Sequence, residues 1–165
     1  MKKTLTLALA AALLALSADA FAMRIAQVDV KKVFEQYNGT QSAKDKLKKE
    51  VDDEKGKLEK DQDALKKKMS DLEAKKSVLS ADKYKEQQDA LGVEIRALQD
   101  RIQTTTSDLQ KKEADMTSNI VDVIKEAVKD VAKDQKYDFV FDNSTIVYGE
   151  ADDISAKVLL KLNSK

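Results

Sequence analysis

The chain contains no cysteine, histidine, tryptophan or proline, and only four glycines in 165 residues. Each absence removes a class of chemistry. Without cysteine there is no disulfide, thiol nucleophile or thiolate metal ligand. Without histidine the commonest general base is missing too, so no catalytic set is recognisable and the chain reads as a non-enzyme. Four scattered glycines do not build a phosphate-cradling loop, and no cofactor is expected. Asp138, Asp142, Asp152 and Asp153 suggest calcium, but their spacing is not that of an EF-hand loop, and the last two suit helix capping better. The missing proline is permissive instead, because nothing interrupts long helices.

Charge is plentiful but balanced, with 30 basic and 30 acidic residues. Residues 1–22 read as a signal peptide. Lys2 and Lys3 open it, Leu5 to Leu16 is apolar, and small residues around Ala18, Ala20 and Ala22 place cleavage near residues 20–22. The apolar stretch is short for a membrane anchor. Setting aside Lys2, Lys3 and Asp19 leaves 28 basic and 29 acidic residues. Such neutrality argues against a nucleic-acid partner.

Apolar residues recur every seven positions along two segments. Val51, Leu58, Leu65, Leu72 and Leu79 form one ladder; Ile95, Ile102, Leu109, Met116 and Val123 form the other. This spacing puts each set on one helix seam. The pattern breaks near Ser80. Val51 with Leu109, Leu58 with Ile102, and Leu65 with Ile95 share one residue-number total of 160, the signature of a chain folded back on itself. The spacing predicts helices at about 41–79 and 81–133, capped by Thr40 and Ser80, with residues 40–119 as a long antiparallel helical hairpin. Asn38-Gly39 reads as the stop of a short helix from Val30 to Tyr37.

The remainder, residues 23–39 and 120–165, reads as a small β-containing body for oligomerisation. Arg24 to Asp29 is a short strand containing Ile25 and Val28. Tyr137, Phe139 and Phe141 alternate with polar or smaller residues in a second strand. Asn143-Ser144 is turn chemistry, and Thr145 to Tyr148, with Ile146, predicts a third strand forming a β-hairpin with the second. Asp152 or Asp153 is expected to cap a final helix. So few residues make a marginal core, and open strand edges invite other copies of the chain.

The segments IAQVDVKKVFEQY and YDFVFDNSTIVYGEADDISAKVLLKLN, with a charged helical hairpin between them, resemble the Skp (OmpH) family of periplasmic chaperones over nearly the whole mature chain. The resemblance implies a mainly α fold with a small β body, homotrimeric, in which strands build a central β-barrel and three hairpins hang from it around a cavity. It implies a periplasmic, ATP-independent holdase for unfolded outer-membrane proteins. Many members are basic, whereas this chain is neutral. A structural coiled-coil adaptor or spacer in the cell envelope is the alternative, and it would need a well-packed seam.

Charge is unevenly placed. Ala64 to Lys85 holds Lys66, Lys67, Lys68, Lys75, Lys76, Lys83 and Lys85 against three acids, a net of +4; Glu86 to Asp130 has a net of −4. The basic tip is a candidate for clients or anionic lipid, although a solvated helix face explains the same lysines. Met69, Val78, Tyr84 and Val93 are candidate apolar contacts, or else seam residues. Gly56 and the run Thr104, Thr105, Thr106 are poor helix formers that face one another in the 160 register, which predicts a hinge.

Overall fold

The computed structural model describes residues 23–164, so the signal-peptide expectation lies outside the described residues. In chain order the elements are β1 (Ile25–Val28), α1 (Val30–Gln36), α2 (Asn38–Ala74), α3 (Ala81–Gln135), β2 (Phe139–Asp142), a 3-10 turn (Asn143–Thr145), β3 (Asp152–Asp153) and α4 (Ser155–Asn163). The fold is mainly helical with one small sheet, ordered β2-β1-β3. Residues group into two compact units: those through Phe34 with those from Val123 onward, and Glu35–Asp122.

The first unit packs its helices on one sheet face. Both pairings of β1 are parallel, with Ile25 opposite Phe139, Gln27 opposite Phe141, and Ala26 between Val140 and Asp152. Period-two alternation then sorts the side chains. Ala26 and Val28 are buried, and Ile25 is not. The core adds Val33 of α1, Ile124, Ala127 and Val131 of α3, and Ile154, Val158 and Leu162 around α4. The spacings 124, 127, 131 and 154, 158, 162 each put one helical stripe inward. One side chain closes this core. Ser155 Oγ donates to Asp153 Oδ1 at 2.5 Å and accepts from the Asp29 backbone N–H at 2.8 Å, bridging the ends of β1 and β3.

Three expectations are corrected here. Asn38-Gly39 does not stop a helix. The break is Tyr37 alone, in extended conformation (φ −72°, ψ 125°), whose carbonyl accepts from Thr40 and Gln41 N–H while α2 starts at Asn38. Thr40 is therefore not a cap but a fully buried residue inside α2. Gly39 serves close approach, since a Cβ there would lie 2.3 Å from the Tyr37 ring. Second, Thr145 to Tyr148 is not a strand and no β-hairpin forms. The Asp142 carboxylate accepts from Ser144 N–H and its carbonyl from the Thr145 hydroxyl, which winds the chain into a 3-10 turn. Third, Asp152 and Asp153 are the strand that fills the other edge of β1. Asp153 accepts from the Ser155 backbone N–H at 2.8 Å from its place in the strand, while Ile154 stands at the N-cap with no side-chain cap bond.

The second unit holds α2 and most of α3. The helix expected to reach residue 79 ends at Ala74, and residues 75–79 form turns; Ser80 accepts from Tyr84 N–H at 2.9 Å to start α3. Among the described residues of this unit only Leu72, Ile120 and Thr40 are buried. The remaining ladder residues are half-covered or exposed.

Candidate functional site: an apolar sheet face and the grooves of two long helices

The sheet face turned away from the core carries the aromatic side chains. Phe139 and Phe141 stack with centroids 6.2 Å apart and remain 49% and 45% exposed. Beside them Met23, Ile25, Phe141, Ile146, Val147 and Tyr148 line an open depression of about 660 Å³. Val147 and Tyr148 are almost wholly in water. Of the residues expected in the body, Ile25, Phe139, Phe141, Ile146 and Tyr148 belong to or beside this face. Val28 belongs to the core instead. Tyr137 is held aside. Its hydroxyl donates to Asp152 Oδ2 at 2.8 Å, which raises its pKa, and the Arg24 guanidinium lies 4.8 Å over its ring. Large exposed apolar patches mark interaction surfaces.

In the second unit three ion pairs join α2 to α3: Lys68–Glu94 at 2.7 Å, Asp61–Arg101 and Glu50–Lys112. Seven residues from Lys68 to Asp61 match seven from Glu94 to Arg101, and eleven more reach Glu50 and Lys112. Numbers fall on one helix as they rise on the other, without a slip. Sequence reasoning missed these pairs, because a ladder marks the seam and leaves its flanks unspecified. Exposed pairs of this kind contribute less than about 1 kcal/mol each and act mainly on register.

Shallow apolar grooves run beside the seam. Val51, Leu58, Ile102, Thr105 and Leu109 line one of about 340 Å³. Leu65, Ala97 and Leu98 line another of about 330 Å³, with Asp61, Lys68, Glu94 and Arg101 at its rim. A third, of about 300 Å³, holds Leu72, Ala90 and Leu91.

The turn between the helices is a tied structure. Tyr84 Oη donates to Glu73 Oε2 at 2.9 Å and Lys76 Nζ to Glu73 Oε1 at 3.1 Å, with Lys76 also 5.8 Å over the Tyr84 ring. The tyrosine bond first, then the lysine, lowers the pKa of Glu73; the same carboxylate raises that of Tyr84. Tyr84 and Lys76 are thus committed to each other's placement. Lys66 pairs with Asp63 at 3.6 Å and Lys68 with Glu94. Among the described residues Lys67, Lys75, Lys83 and Lys85 make no ion pair. Met69, Val78 and Val93 are exposed, Val78 at 78% and Val93 at 58%.

The expected hinge residues lie inside the two long helices. Gly56 lies two positions before Leu58, about 200° round the helix from the seam. A Cβ there would touch nothing within 4 Å, so the space at Gly56 is open. Both helices run unbroken through these residues. Thr104 is exposed, Thr105 lines the groove, and Thr106 Oγ1 donates back to the Ile102 carbonyl at 2.8 Å. Gly92 of α3 is equally open. Gly56→Ala and Gly92→Ala are each expected to stabilise by about 1 kcal/mol through helix propensity. An unchanged thermal midpoint for the double variant would refute this.

A match to the family described as outer membrane protein (OmpH-like) spans residues 24–162. The chaperone protein Skp of Yersinia enterocolitica is 29% identical over 161 residues, covering 96% of this chain and 98% of that protein. In fold, the chain is similar to the crystal structure of a proposed outer membrane chaperone (OmpH-like) from Caulobacter crescentus CB15. The TM-score is 0.79 with 18% identity, over 87% of this chain and 85% of that one. With the family match running from the first strand into the last helix, the chain belongs to the OmpH-like outer membrane protein family.

Proposed function

We propose that this chain is an ATP-independent periplasmic holdase that binds unfolded outer-membrane proteins and prevents their aggregation. Copies join through the Phe139–Phe141 sheet face as a homotrimer with a barrel core, and residues 40–119 act as helical hairpin arms around a cavity. The observation that carries the reading is the pair of long helices with their seam left open. Ladder residues such as Leu58, Leu65 and Ile102 keep part of their surface in water and border shallow grooves. Many shallow apolar contacts suit a client with no fixed shape, and ion pairs set the helix register without closing the grooves. Family membership and the likeness to an Skp chaperone support the same reading.

The deciding experiment is light scattering of an unfolded β-barrel protein diluted into buffer. Suppression of aggregation without ATP, saturating near one oligomer per client, is the expected result. No suppression, together with tight binding to one folded envelope protein, would instead favour the adaptor role. The basic tip has its own test. Changing Lys66, Lys67, Lys68, Lys75 and Lys76 to glutamine should weaken client binding several-fold at low salt and flatten its salt dependence. Unchanged affinity and slope would remove the tip from client or lipid capture.

A further inference from the structure

Val78 and Val93 are left over by the seam, the grooves and the sheet face. Both are large apolar side chains in water, and their surroundings carry opposite charge. Val78 stands in the turn among Lys75, Lys83 and Lys85, none of which has an ion-pair partner among the described residues. Asp82 is the acid in that stretch. Val93 lies on α3 with Glu86 seven residues before it, Asp89 four before and Asp100 seven after, spacings that place all three on its own helix face. None of these acids is paired among the described residues. Arg96 is the one cation on that face, and Ala90 and Ala97 leave room beside the valine.

We infer that the two patches are complementary and that their partner is a second copy of this chain: the basic turn around Val78 docks on the acidic face around Val93 of another molecule. The arrangement is reciprocal. Val93 lies twelve residues beyond the start of α3, about 18 Å along the helix. Two copies overlapping their turns by that length bring each Val78 to the other's Val93, so one two-fold axis makes both contacts and the pairing closes on itself. Charge and apolar surface agree at both contacts, whereas lipid or a generic anion would satisfy only the basic half. Two such contacts act together, so the pairing is cooperative yet weak enough to be released by salt. It would join oligomers turn to turn and cover the lysines offered to clients.

Sedimentation velocity of the full chain tests this. At about 20 mM salt the wild type should sediment as pairs of its basal oligomer, and at about 500 mM as the basal oligomer alone. A tip-reversed variant (Lys75→Glu, Lys83→Glu, Lys85→Glu) and a face-reversed variant (Glu86→Lys, Asp89→Lys, Asp100→Lys) should each stay unpaired at low salt. Mixed, they should pair again, because each then meets the opposite charge. All the altered side chains are exposed, and unchanged circular dichroism confirms folding. With no native cysteine, Val78→Cys and Val93→Cys made in separate molecules give a second readout: mixed disulfides between the two should exceed like-with-like products several-fold. A salt-independent mass, pairing of either reversed variant alone, failure of the mixture to pair, or equal disulfide yields would each overturn the proposal. Anionic vesicles that bind the wild type while its copies do not pair would assign the basic turn to lipid instead.

Discussion

Phe139→Ser combined with Phe141→Ser is expected to leave the proposed oligomer as single folded chains and to abolish aggregation suppression. Each ring leaves nearly half its surface in water in the single chain. A phenylalanine side chain offers about 200 Å², so covering the exposed half against a neighbour stabilises by roughly 2.5 kcal/mol per ring. Two rings per subunit come to about 5 kcal/mol, more than three orders of magnitude in association. The fold of the single chain should survive, because its core lies on the other sheet face, around Ala26, Val28 and Ile124. Sedimentation equilibrium with circular dichroism separates the two effects. A doubly substituted chain that keeps the wild-type mass would show that copies meet elsewhere. One that becomes monomeric yet holds clients as well as before would detach holding from assembly.

What could be read from the residues alone follows a physical line. A seven-residue ladder states which helix face is apolar, and Val51, Leu58, Ile102 and Leu109 do line one groove. It says little about where a helix stops. α2 ends at Ala74 because five further residues are spent on turns, and nothing in Lys75 to Leu79 announces that. The small sheet was legible in its first strand, read at Arg24 to Asp29, and in the aromatic alternation of its second. Asp152-Asp153 has poor strand propensity, yet it pairs because β1 has a second edge whose backbone groups need partners; the Gln27 carbonyl takes the Ile154 N–H at 2.9 Å. The run Ile146-Val147-Tyr148 has good strand propensity and stays unpaired although the outer edge of β2 is open, because the Asp142 bonds to Ser144 and Thr145 wind the chain into a 3-10 turn instead of a hairpin turn. Asn38-Gly39 misled for a related reason. Glycine there answers to the space needed by the Tyr37 ring, a contact that no propensity scale contains. The apolar candidates fared unevenly on the same ground: Tyr84 had a hydroxyl that found Glu73, whereas Val78 had nothing to find.

Ser155→Ala should be among the most costly polar substitutions in the chain, about 1–3 kcal/mol by urea unfolding at neutral pH. Its hydroxyl is buried and joins two separate junctions, taking the Asp29 N–H and giving its proton to Asp153. Alanine leaves the Asp29 N–H without that acceptor and strips one donor from the carboxylate. The same bond governs acid sensitivity. Ser155's side chain first, then its backbone N–H, holds the Asp153 pKa below the ordinary aspartate value, with burial opposing. A carboxyl depressed on folding adds stability above its unfolded pKa of about 4, and that share disappears as pH falls through the lower folded value. Removing the hydroxyl raises the folded pKa toward the unfolded one, so the variant should lose less stability than wild type between neutral pH and about pH 3. Other carboxylates titrate over the same span in both proteins and cancel in the difference. Asp153→Asn discriminates further. It keeps an acceptor for Ser155 but cannot titrate, so it should show the shallow acid slope of Ser155→Ala with a smaller loss at neutral pH. Equal slopes in all three proteins would mean that the bridge between β1 and β3 stands without its charge. The acid limit of the fold would then have to come from the exposed pairs along α2 and α3.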